Sequence, residues 1–224
     1  MFFHGTTVTS TIRLRNEYKM YQKNPFTTLE GIEASPDEGN LHNWTAVITG
    51  PENTPYEGGI FTLKMVFTDR YPMMPPEVRF ISEMFHPNVY SKEEGSNHYP
   101  DMTGIICLNI FGNDWIVNLS IRTILLSIRN LLEKPMPEAL HLPELSAEES
   151  NSTCMCIPRG NRSNQEESSI DNPANIYKFV NKDSAANPEA ARLYLRNDNS
   201  FEERVKIIVD KSIEAKRQQE SSVL

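Results

Sequence analysis

Apolar residues recur along this chain with two different periods, and each change of period marks a new element. Leu14, Tyr18 and Tyr21 stand at i, i+4 and i+7 while Arg13, Arg15, Glu17 and Lys19 take the other faces, which predicts a helix over 11–24 that Pro25 ends. Strands are predicted at about 29–34, 43–49, 60–67 and 78–81, the later ones separated by the turn-rich stretches GPENTPYEGG (50–59) and DRYPMMPP (69–76). In the third segment Phe61, Leu63, Met65 and Phe67 alternate with Thr62, Lys64 and Val66, the pattern of a strand with one buried face. These segments read as an antiparallel meander whose apolar face needs a cover.

The cover is predicted after Ser120, where Ile121, Ile124, Leu125, Ile128, Leu131 and Leu132 form one helical stripe that KPMP (134–137) stops. Near the end, Ser200 and Glu203 have capping-box spacing for a helix with Phe201, Val205, Ile208 and Val209 on one side. A helix, then strands, then helices indicates an α+β domain.

Two stretches interrupt this order, at 92–102 (KEEGSNHYPDM) and at about 137–182, with no sustained apolar period in either. Both read as mobile surface insertions, because such composition buries too little apolar surface to offset its own ordering entropy; IYKFV (176–180) is a candidate short ordered piece. Composition agrees. The hydrophobic set is 38%, about 39% with glycine counted in place of tyrosine, against about 45–50% for an average globular domain.

The 224 residues fit one domain with additions, at roughly 100–200 residues per domain. Lys and Arg total 22 against 30 Asp and Glu, a net charge of -8, the wrong sign for gripping a phosphate backbone, so direct nucleic-acid binding is not expected. The three cysteines, Cys107, Cys154 and Cys156, make neither an even disulfide framework nor a four-ligand zinc spacing, which points to a reducing compartment. No apolar run reaches the ~18 residues of a membrane span, and a soluble cytoplasmic or nuclear protein is expected. Metal ligation by His98, Asp101 and Cys107 has no supporting spacing, and Cys154 with Cys156 reads as two exposed thiols.

In order along the chain, GPENTPYEGGIFTL (50–63), YPMMPPEVRF (71–80), MFHPNVY (84–90), GIICLNI (104–110) and Trp115 resemble the core of ubiquitin-conjugating enzymes, most nearly the Rad-six type. The likeness runs from Arg13 to Leu132 apart from the first insertion and resumes near Ser184, through SAANPEAARLY into the last helix. It implies a four-stranded antiparallel sheet with one helix before it and others after it. On this reading a single core domain spans 8–217, interrupted at 92–102 and about 137–182, with 218–224 as a short tail.

The resemblance assigns Cys107 as the residue that accepts ubiquitin as a thioester, after HPN and eight residues before Trp115. Cysteine suits a protein that must receive an acyl group and pass it to an amine, since a thiolate attacks a carbonyl readily and its thioester stays reactive. No cofactor is implied, because ATP is consumed by the upstream activating enzyme. Asn88 carries two alternative roles, stabilising the oxyanion of transfer or supporting the adjacent loop. His86 is expected to orient that loop rather than act as a base. Asn88 and Cys107 stand 19 positions apart, more than the family's pattern, and the 92–102 insertion accounts for the excess.

The family also places a gating acid or serine beside the groove. Here the long insertion splits that segment and leaves Glu138 beside Ala139, Asn172 beside Asp171, and Asp183 beside Ser184 as alternatives. Arg13 and Lys19 match positions that meet the activating enzyme, with an ordinary solvated face as the competing reading. Pro72, Met73, Ile116 and Val117 match the two loops that meet a ligase, of RING type by resemblance, although Ile116-Val117 replaces the usual Ser-Pro. The expected partners are ubiquitin, the activating enzyme, a ligase and a substrate protein, with no membrane. Two rival readings are a conjugating enzyme for another ubiquitin-like modifier, which CLN in place of CLD permits, and a transfer-inactive binding relative.

Overall fold

The computed structural model describes residues 4–25, 30–91, 102–112, 114–135, 185–196 and 198–221. Four strands, β1 (Ile32–Asp37), β2 (Asn40–Thr49), β3 (Ile60–Val66) and β4 (Glu77–Phe80), form one antiparallel sheet in the order β1-β2-β3-β4. The helix α1 (His4–Lys23) precedes the sheet, and α2 (Ile121–Glu133), α3 (Pro188–Arg196) and α4 (Ser200–Ser221) follow it. This is the predicted α+β meander. Trp44, Ala46, Ile48, Phe61, Leu63 and Met65 are all buried, in one core with the apolar stripes of α2, which packs on β1 and β2, and of α4, which packs on β3. The α2 stripe predicted from spacing is buried at all six positions, each such side chain contributing about 1.5–3 kcal/mol relative to exposure. Ser120 caps α2 by accepting from the Thr123 N–H at 3.1 Å.

Element boundaries moved where tertiary contacts outweigh local pattern. Helix α1 begins at His4, well before the predicted 11, although its first turns have no apolar period. The Ser10 hydroxyl shares a 3.0 Å hydrogen bond with His42 Nε2 of β2, which ties that polar turn to the sheet. Strand β1 starts later and runs through Ser35-Pro36 to Asp37, where turn residues suggested a stop. As an edge strand it tolerates Pro36, whose missing N–H is needed by no neighbour. The β1–β2 hairpin turns at Glu38-Gly39, with Gly39 at φ +72°.

At the other end of the chain, Ser200 is the first residue of α4 and not its cap. The Asp198 carboxylate accepts from the Ser200 N–H at 3.0 Å and from the Ser200 hydroxyl, and these bonds hold its pKa below the usual carboxylate range. The predicted capping box is therefore replaced by an aspartate two residues earlier. Helix α4 runs to Ser221, so the segment expected as a tail from 218 is helical that far. Its Phe201, Val205, Ile208 and Val209 are buried as predicted, and Ser212 Oγ accepts from the Ile60 N–H at 2.9 Å, fixing α4 to β3. No helix among the described residues is long and apolar enough to cross a membrane.

Candidate active site

Beyond β4 the chain builds a second, smaller antiparallel pair. Tyr90 N–H donates to the Ile105 carbonyl at 3.0 Å, Gly104 N–H to Tyr90 at 2.8 Å and Cys107 N–H to Asn88 at 2.7 Å. The predicted insertion therefore departs from the turn end of this pair, and the register between 88–90 and 104–107 is independent of its length. Gly104 is required there. Its φ is +83°, and a Cβ would stand 2.1 Å from the Phe80 carbonyl oxygen that flanks it. Residues 92–101, including His98 and Asp101, lie outside the described residues, and the Met102 carbonyl accepts from the Ile105 N–H at 3.0 Å.

Cys107 ends this pair, partly exposed, between buried Ile105-Ile106 and a short 3₁₀ turn at Asn109–Phe111. Asn88 lies beside it, 1% exposed, with Nδ2 donating to the Cys107 carbonyl at 3.4 Å. That contact is the loop-supporting arrangement. It also leaves a carboxamide donor next to the residue that carries the thiol.

His86 is fully buried and both ring nitrogens are engaged: Nε2 donates to the Leu131 carbonyl of α2 at 3.0 Å, and Nδ1 accepts from the Asn88 N–H at 3.0 Å. Burial, partly opposed by the bond to Leu131, lowers its pKa from 6.5 to about 4. It stays neutral near pH 7 with no lone pair facing the thiol. The Tyr56 hydroxyl donates to the Phe85 carbonyl at 2.7 Å, and the Asn187 N–H, at the start of α3, to the Pro87 carbonyl at 3.1 Å. The carbonyls of Phe85, Pro87 and Asn88 are thus each held by a different segment, while that of His86 accepts from Val89 within the loop. Tyr56, Leu131 and Asn187 have no site role in the sequence reading, because each meets the loop through, or at, a backbone group that only the fold brings near.

The expected partner surfaces meet on the side of α1. Met73, Ile116 and Val117 are 73%, 59% and 40% exposed, and Trp115 Nε1–H donates to the Pro72 carbonyl at 2.8 Å, joining their two loops. Arg13 is not an ordinary solvated side chain. It donates to the Val117 carbonyl at 2.7 Å, to Leu119 at 2.8 Å and to Glu17 Oε1 at 2.8 Å. Glu17, read from sequence as an outer-face residue, is largely buried and accepts from the Ile121 N–H at the start of α2, at 3.3 Å. Burial, reinforced by the Glu17 charge, raises the pKa of neighbouring Tyr71. Lys19 is exposed.

The gate candidates Glu138, Asn172, Asp183 and Ser184, with Ala139 and Asp171, lie outside the described residues, as do Cys154, Cys156 and 176–180. No cluster of His, Cys, Asp and Glu among the described residues has the make-up to hold a metal ion.

Against known proteins, a family model described as ubiquitin-conjugating enzyme matches residues 13–152. The chain belongs to the ubiquitin-conjugating enzyme family. It is 41% identical over 133 residues to ubiquitin-conjugating enzyme E2 1 of Caenorhabditis elegans, covering 59% of this chain and 62% of that protein. It is 41% identical over 127 residues to ubiquitin-conjugating enzyme E2 3 of Arabidopsis thaliana (57% and 75%), and 43% identical over 123 residues to ubiquitin-conjugating enzyme E2 2 of Fusarium solani (55% and 72%). The chain thus spans less than two thirds of the Caenorhabditis relative. In this member of the family α3 and α4 lie beyond residue 152, and the Asn187 N–H bond to Pro87 joins α3 to the HPN loop.

Proposed function

We propose that this chain accepts ubiquitin as a thioester on Cys107 and transfers it to a substrate lysine. The observation that carries this reading is a partly exposed Cys107 hydrogen-bonded edge to edge with the HPN loop, in a member of this family. In the first step the Cys107 thiolate attacks the carbonyl of the activating enzyme's thioester, and that enzyme's thiolate leaves. In the second a lysine amine attacks, loses its proton and expels the Cys107 thiolate, leaving an isopeptide bond. His86, neutral and with both nitrogens engaged, positions the loop and takes no proton. Asn88 supports Cys107 in the resting state and presents its amide to the oxyanion during transfer.

The energy comes from the donor's thioester, so the chain itself needs no cofactor and ATP is consumed upstream. A RING-type ligase docks on Met73, Ile116 and Val117, and the activating enzyme on α1, including Lys19. The thiol must stay reduced, which suits the cytoplasm or nucleus.

The test is incubation with activating enzymes, ATP and a panel of modifiers, read on reducing and non-reducing gels. The expected result is a thiol-sensitive ubiquitin adduct that Cys107→Ala abolishes and that survives replacement of Cys154 and Cys156 together. An adduct with another modifier only, or none at all, overturns the reading.

A further inference from the structure

Asn187 joins two things that the sequence separates, the HPN loop and the N-terminus of α3. Its backbone N–H donates to the Pro87 carbonyl at 3.1 Å, its carbonyl accepts from Ala191 at 3.0 Å, and its side-chain Oδ1 accepts from the Ala190 N–H at 3.0 Å. It is the N-cap of α3, followed by Pro188 at the first helical position, where a missing N–H does no harm. The residue is 2% exposed. With its carbonyl and side chain both fixed to the helix, its N–H has little freedom to turn away from Pro87.

We infer that Asn187 is a positioning residue for the Pro87-Asn88 peptide, acting through its cap on α3; the inference rests on the transfer role proposed for Cys107 and Asn88. The other polar group of this peptide unit, the Asn88 N–H, is held inside the loop by His86 Nδ1, so the Pro87 carbonyl is the group through which α3 holds it from outside. Of the two side-chain polar atoms of Asn187, Oδ1 is engaged, and Nδ2 is buried without a hydrogen-bond partner among the described residues. The cap therefore needs an acceptor at this position and not an amide donor. Serine supplies that acceptor without the second N–H, whereas alanine supplies neither.

The test compares Asn187→Ala with Asn187→Ser. Amide hydrogen exchange by NMR follows the Asn88 and Cys107 N–H groups, and single-turnover discharge of the Cys107 thioester to lysine follows function. In Asn187→Ala the Asn88 amide should exchange about tenfold faster, as local opening becomes easier. The maximal discharge rate should fall roughly tenfold, short of the ~10²-fold loss that a full misplacement by about 1 Å causes, with the half-saturating lysine concentration unchanged. Asn187→Ser should restore both. If the alanine variant does not fold, Asn187→Gly, which also removes the Oδ1 acceptor but costs the helix less at this position, should show the same two changes.

Unchanged exchange and discharge in the alanine or glycine variant, or a serine variant as slow as alanine, would overturn the inference. If wild-type protein forms no thioester with any modifier, the proposed function fails instead. The exchange measurement still decides whether Asn187 braces the loop.

Discussion

The Arg13 guanidinium donates to the Val117 carbonyl at 2.7 Å, so a residue of the first helix holds a loop that carries two exposed apolar side chains, Ile116 and Val117. The same guanidinium binds Leu119 and Glu17, and Glu17 in turn receives the first N–H of α2. Arg13→Ala should therefore act beyond α1. Two charge-assisted bonds are lost and Glu17 is left partly buried without its cation, costing about 1–3 kcal/mol in urea unfolding. Ligase-stimulated discharge should fall more than unstimulated discharge. Arg13→Lys should recover little, because one ammonium cannot span two carbonyls and a carboxylate in the plane that a guanidinium does. Equal slowing of both discharge reactions would show that the loop does not depend on Arg13.

Asn88 offers a sharper separation of roles, because stabilising an oxyanion matters only during transfer while supporting a loop matters in every state. Asn88→Ala should still accept modifier on Cys107, since under the proposed function that first exchange is completed with the activating enzyme's own groups present. Discharge to lysine should slow by roughly 10² to 10³, or about 2.7 to 4 kcal/mol. A thermal melt run alongside reports the loss of the Nδ2 bond to Cys107. A wild-type discharge rate would exclude the catalytic role, and slowing only in proportion to lost folding would leave loop support alone.

His86 makes stability depend on pH in a defined direction. Its pKa is about 4 in the folded protein against 6.5 ordinarily, so as pH falls through 6.5 the unfolded chain binds a proton that the native state refuses. Stability from this group is complete above about 6.5, falls between 6.5 and 4, and changes no further below 4, a total of roughly 3 kcal/mol. Urea unfolding of wild type and His86→Gln at pH 7, 6 and 5 should show a steeper decline in wild type. Parallel declines would mean that other groups carry the acid sensitivity.

The insertion before Cys107 should be dispensable to the fold. Its flanks are already paired from Asn88 to Tyr90 and from Gly104 to Cys107, and shortening a loop changes closure entropy only slowly with length. Deletion of 92–101, sparing Met102 whose carbonyl holds Ile105, should alter stability by less than about 1 kcal/mol and leave charging of Cys107 intact. Loss of soluble folded protein would show that the segment carries structure of its own.

What the sequence by itself determined are the features written by local periodicity and by motif. The α2 stripe from Ile121 to Leu132 and the alternation of β3 are set by which face each residue turns to the core, and that periodicity is a property of the chain alone. The HPN loop and Cys107 were legible as a motif, and the Ser120 cap as a residue type before an apolar run. Only the tertiary structure decided where α1 and β1 begin and end, since the Ser10–His42 bond and the edge position of Pro36 depend on neighbours distant in sequence. It also decided that Arg13 and Glu17, by spacing members of a polar helix face, join α1 to the 117–119 loop and to α2. Asn187 shows the physical reason most directly. Its bond to Pro87 is a backbone contact that every residue type but proline has the donor to make, so side-chain identity carries no trace of it until the fold brings the two peptides together.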